Sequence, residues 1–172
     1  MDEPRWRTAP LGLGMEVLMS FKESMLKPGD VLLYAPSGFF GWLIALKTWE
    51  QVSHVEVYAG NRESWASRDG VGVGRYPLRT DGLKLVRRAA QFDYDKAQAY
   101  FKTVEGQKYD WIGLAVFASL ARHGDAFKQW CSEFADNIHH EAGNDLFGDY
   151  ASDHVSPADF LKTPTLQTIW EK

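Results

Sequence analysis

Two short stretches of this 172-residue chain hold residue types that could do nucleophilic chemistry. The first is Trp130-Cys131-Ser132-Glu133-Phe134, which contains the single cysteine. It follows the broken segment Arg122-His123-Gly124-Asp125, so Cys131 is expected near the start of a helix. Free N–H groups and the helix dipole favour an anion there, which stabilises a thiolate. The same N–H groups could hold the oxyanion formed when a thiolate attacks a carbonyl. The competing reading is a lone cysteine packed as a small hydrophobe, and for the cysteine alone that reading is the commoner one.

The second stretch is Ser53-His54-Val55-Glu56. Its polar and apolar residues alternate, as on a half-buried strand, and His54 and Glu56 then share a face. A glutamate so placed could hold the imidazole in one tautomer, as the third member of a triad does. The competing reading is a histidine and a glutamate on a solvated sheet face. Far apart in the chain, Cys131 and His54 make a site only if the fold joins them.

The elements that would do so follow from spacing. Leu13, Val17, Leu18, Phe21 and Met25 have helical spacing over residues 12 to 26. Lys27-Pro28-Gly29-Asp30 stops that helix and turns the chain. Val31 to Tyr34 reads as a buried strand, residues 39 to 49 as a short helix, and Ser53 to Ala59 as the histidine strand. Gly60-Asn61 turns the chain into a strand at Ser64 to Ser67, and Gly70 to Tyr76 and Leu83 to Arg87 follow as two more. Helices are expected over Tyr94 to Val104, Trp111 to Ala121 and Phe127 to His140. Ser156-Pro157-Ala158-Asp159-Phe160 resembles a short capped turn of helix. Strands first and helices later predict an α+β class, as one domain over 1–172 with residues 1–26 as a helical extension.

Composition narrows the function. Hydrophobic residues make up 45% and aromatics 14%, with seven Trp, enough for a packed core. A formal charge of -4 argues against nucleic acid as a partner. Arg75, Arg79, Lys84, Arg87 and Arg88 form a local basic stretch opposed by Asp81, and a solvated strand edge is the expected reading. One cysteine permits no internal disulfide. Early acids in Met1-Asp2-Glu3-Pro4 do not suit a signal peptide, so the expected location is the cytoplasm as made, or a phage particle, or release on lysis. The longest apolar run, Trp111 to Ala121, falls short of the roughly 20 residues a membrane span needs.

Five motifs occur in a telling order: Lys27-Pro28-Gly29-Asp30-Val31-Leu32-Leu33, Ser53-His54-Val55-Glu56-Val57-Tyr58, Tyr109-Asp110-Trp111, Trp130-Cys131-Ser132-Glu133-Phe134 and Ser156-Pro157-Ala158-Asp159-Phe160. This order resembles the circularly permuted papain-like amidases, the permuted branch of the NlpC-type cell-wall peptidases, related to lecithin:retinol acyltransferase-like proteins. The resemblance spans residues 27 to 160. It implies a small antiparallel sheet packed against helices, with the cysteine at a helix N-terminus facing the histidine strand. It implies Cys131 as nucleophile, His54 as base and hydrolysis of an amide, with a peptidoglycan stem peptide as the favoured substrate. The alternatives are a lipid ester or lipoyl amide handled by the same pair, or a catalytically silent binding or structural domain.

The third catalytic member departs from that family. A glutamate is usual on the strand after the histidine, and Trp65 stands at the matching place in Glu63-Ser64-Trp65-Ala66-Ser67. Glu56, Glu63 and Ser67 are the candidates, with Glu56 preferred and Glu133 read as a structural contact or cap. Gly70-Val71-Gly72-Val73-Gly74 lacks the last glycine of a dinucleotide fingerprint, so no nucleotide cofactor is expected, and its alternate glycines point to a tight sheet region or a close approach by another backbone. Asp136, His139, His140, Glu141, Asp145, Asp149, Asp153 and His154 form an acidic, histidine-rich region without H-E-x-x-H spacing. A solvated surface is the expected reading there, with no metal. Phe39, Phe40, Trp42 and Trp49 are read as core, or as a groove lining if they are exposed near His54.

Overall fold

The computed structural model describes residues 20–37, 51–108, 130–148 and 154–172. The elements are β1 (Val31–Tyr34), β2 (His54–Gly60), β3 (Glu63–Arg68), β4 (Gly72–Pro77), β5 (Leu83–Ala89), α1 (Tyr94–Val104), α2 (Cys131–Glu141), α3 (Asp159–Lys162) and β6 (Leu166–Glu171). A 3-10 turn, Glu23–Met25, precedes β1. The class is α+β. One sheet of six strands runs in the order β4-β3-β2-β1-β5-β6, and every neighbouring pair is antiparallel.

β1 is central, which explains its unbroken apolar run: all four of its residues are buried. Alternation along the strands sorts side chains onto two faces. Val31, Leu33, Val55, Val57 and Trp65 join a core with the buried faces of α1 and α2. In α1, Ala97, Phe101 and Val104 form the buried stripe, and Asp93 caps the helix by accepting from the Lys96 N–H at 3.1 Å. In α2, Phe134, Ala135 and Ile138 do the same, and this helix lies against β2 and β3. Leu32, Tyr34, Tyr58, Leu83 and Val86 form a smaller cluster on the far face.

Asp30 ties three strands together. Its buried carboxylate accepts from Arg88 of β5 at 2.6 and 2.7 Å and from the Lys27 N–H at 2.8 Å. Its carbonyl accepts from the Tyr58 N–H of β2 at 2.8 Å. Gly29, at φ 90, has no room for a Cβ, which would meet the Phe92 ring. Gly72 behaves as the glycine-rich stretch suggested. It lies against the backbone of Gln107, whose carbonyl accepts from Val73 at 2.8 Å.

Some expectations need correction. Of the helix expected over 12 to 26, the described residues 20–26 hold only a three-residue 3-10 turn, entered through extended backbone at Lys22. The cysteine helix begins at Cys131, not at Phe127, with Trp130 extended at its N-cap. β6 was not foreseen. It is a half-exposed edge strand, held where Arg87 of β5 donates to the Phe160 carbonyl at 2.6 Å and to the Leu166 carbonyl. The basic stretch is not a uniformly solvated edge. Arg75 pairs with Glu63, Arg88 with Asp30, and Arg87 is buried against carbonyls. The helices expected over 39–49 and 111–121, and the Tyr109-Asp110-Trp111 motif, lie outside the described residues.

Candidate active site

His54 is the first residue of β2, and Glu56 follows two positions later on the same face. The His54 Nε2 lies 3.1 Å from Glu56 Oε1. Glu56 is fully buried, while the His54 side chain is 18% exposed. A buried carboxylate must find partners, and this one has several. Arg68 of β3 donates through Nε at 3.0 Å to Oε1 and through Nη2 at 3.1 Å to Oε2. The Ser64 hydroxyl donates to Oε2 at 2.5 Å. The Arg79 Nη2 comes within 3.3 Å of Oε1.

Cys131 opens α2 and is 1% exposed, packed in the helix-side core. As the first helical residue it carries one of the N–H groups that have no partner within the helix. The N-terminal end of α2 is pinned by the Ser132 hydroxyl, which donates to the Val155 carbonyl at 2.6 Å. Next to it, Asp159 accepts from the Ser156 N–H at 2.8 Å and the Ser156 hydroxyl at 2.7 Å. The Ser156-to-Phe160 motif is therefore a clip beside the cysteine helix.

The electrostatics of His54 tie these parts together. Burial works against its protonation. Hydrogen bonds to Cys131 and to Glu56 outweigh that and lift its pKa to about 9. For Glu56 burial again favours the neutral form. The hydrogen bond and charge of His54, with those of Arg68 and Ser64, reverse this and hold its pKa down at about 2. A protonated imidazole bonded to both a thiol and a carboxylate is the outcome.

The other predicted residues fall elsewhere. Glu63 pairs with Arg75 at 3.0 Å. Ser67 is buried and pairs in register with Val73; by strand alternation it points away from the Ser64 and Glu56 face. Trp65 is fully buried and stacks on Phe101 at 5.2 Å and Tyr94 at 5.3 Å between ring centroids. Glu133 lies in the first turn of α2, where a negative charge suits the dipole. Sequence reasoning missed Ser64, Arg68 and Arg79. The first two were within reach: a hairpin turned at Gly60-Asn61 sets Ser64 opposite Tyr58 and leaves Ser64 and Arg68 on one face.

Asp136 and His140 share α2, and burial lifts the Asp136 pKa to about 6, opposed by His140 and aided by Asp145. Among the described residues, no group of three His, Cys, Asp or Glu side chains gathers as a metal ion would need. Asp149 and Asp153, like Phe39, Phe40, Trp42 and Trp49, lie outside the described residues. Among the described residues no helix is long and apolar enough to cross a membrane.

No family model matches the chain, and no curated protein does. A solved structure does. It is that of metalloprotein yiiX from Escherichia coli O157:H7, similar with a TM-score of 0.65 and 18% identity, over 86% of this chain and 98% of that one. The two chains share a fold. At that identity the likeness extends to architecture and not to chemistry.

Proposed function

We propose that the protein is a thiol hydrolase that cleaves an amide through a covalent acyl-enzyme, with a peptidoglycan stem peptide as the favoured substrate. One observation carries the reading: His54 is bonded to Cys131 and to the buried, arginine-clamped Glu56. In this scheme the Cys131 thiolate attacks the carbonyl carbon, and a C–S bond forms. The N–H groups at the start of α2 stabilise the oxyanion. Collapse breaks the C–N bond, and His54 gives its proton to the departing amine. Neutral His54 then takes a proton from water, whose oxygen attacks the thioester. The acid leaves and the thiolate–imidazolium pair returns. Glu56 holds the ring and offsets its charge throughout. The substrate class and the permuted papain-like assignment rest on the motif order.

One observation favours a second reading, a silent binding domain: the thiol is 1% exposed. Alkylation of the native protein across pH separates the two. The hydrolase reading expects fast labelling of Cys131 that persists at pH 6, about two units below the usual thiol pKa, and is lost in His54→Ala. Slow labelling with ordinary thiol behaviour, unchanged by His54→Ala, would leave the binding domain.

A further inference from the structure

Arg79 has more charge to offer than its surroundings use. A carboxylate presents about four lone-pair positions. His54, Ser64 and the two Arg68 bonds already occupy those of Glu56. The Arg79 contact is a fifth and, at 3.3 Å, the longest. Among the described residues no other carboxylate pairs with Arg79, and its Nε has no hydrogen-bond partner. It is also the most open member of the group, with its side chain 39% exposed against 23% for Arg68. Yet it is held in place. Its guanidinium lies over the Tyr34 ring at 4.4 Å, and the Tyr34 hydroxyl donates to the Arg79 carbonyl at 3.0 Å. Tyr34 is itself the register partner of His54. The one other carboxylate felt by His54 among the described residues is Asp69, which is exposed and screened by water.

We infer that Arg79 is the substrate-recognition residue of this site, and that the substrate carries a carboxylate close to the attacked carbonyl. This rests on the thiol reading and deepens it. A fixed, partly open guanidinium that shares Glu56 Oε1 with His54 can take a substrate carboxylate in a forked pair beside the reacting atoms. Arg68, committed to Glu56 by two bonds, has the other job of holding the ring's partner.

The test compares two alkylating reagents of similar size on the native full chain: iodoacetate, which carries a carboxylate, and iodoacetamide, which is neutral. The quantity read is the ratio of their rates at Cys131, normalised to the same ratio for glutathione. Arg79→Gln is expected to lower that ratio by about fivefold. Arg79→Lys is expected to keep most of the ratio, and 1 M salt to reduce it in the wild type. Equal slowing of both reagents in Arg79→Gln, with the ratio unchanged, would mean that Arg79 only supports Glu56, and the inference would be wrong while the thiol reading stood. Slow labelling of the wild type by both reagents would overturn the inference together with the thiol reading.

Discussion

The two faces of the sheet are built on different physics. The helix side holds Val55, Val57, Trp65, Phe101 and Phe134, fully or nearly fully buried and apolar. The far side, one residue out of phase along the strands, holds Glu56, Ser64 and Arg68, with Arg79 beside them, and there charge is balanced against charge and aromatic rings brace the guanidinium groups. Apolar burial is non-directional and gives the first face its stability. Buried charge earns little net stability but specifies geometry, provided every partner is in place. His54 stands at the first position of β2, where the two meet, bonded to Cys131 from the helix-side core and to Glu56 from the far face. A histidine placed there meets groups from both faces.

The sharpest break should come on the helix side. Trp65→Ala is expected to lower unfolding free energy by about 4 kcal/mol, measured by urea titration, because the cavity among Tyr94 and Phe101 cannot collapse. A loss under about 1 kcal/mol would remove the contrast between the faces. The same face holds His139, fully buried, its pKa pulled down to about 4 by burial. Its folded pKa is below its unfolded 6.5, so the folded state resists protonation and stability falls as pH drops from 6.5 towards 4. That loss is up to about 3 kcal/mol. Asp136 works in the opposite sense, its raised pKa lowering stability as pH rises from 3.8 towards 6. The difference between wild type and His139→Leu, followed over that range, isolates the histidine.

On the far face, Glu56→Gln tests the tuning. The His54 ring pKa, followed by NMR, is expected to fall by more than one unit from about 9; each unit corresponds to about 1.4 kcal/mol. The signs can be followed in stability as well. The raised His54 pKa stabilises the fold below 6.5 and that contribution is lost as pH rises towards 9. The lowered Glu56 pKa stabilises the fold above 4.5 and is lost as pH falls towards 2. Glu56→Gln should flatten both limbs. The smallest effect is expected from Ser64→Ala, about 1 kcal/mol by thermal or urea unfolding, since Arg68 still satisfies the carboxylate.

Legibility in the sequence followed the kind of physics involved. The span Tyr94 to Val104 was readable to the residue, because Asp93 caps it and Ala97, Phe101 and Val104 repeat with the helical period. The strands His54–Gly60 and Glu63–Arg68 were readable from alternation and the turn between them. Glu56 as the neighbour of His54 followed from the same period of two. β6 was not readable, since its pattern of burial is set by pairing at an edge and by Arg87 reaching across to it.

What the sequence determined alone is therefore local: residue types, periodicity, the stop at Pro28-Gly29, and the shared face of His54 and Glu56. What the tertiary structure decided is every pairing between distant segments. Cys131 meets His54 only because α2 lies on β2. The basic stretch divides among different partners, and only Arg79 reaches Glu56. The physical reason is that hydrophobic period and turn chemistry act between near neighbours. A charge, in contrast, is satisfied by whichever opposite group the folded chain brings within about 4 Å, and no spacing along the sequence encodes that distance.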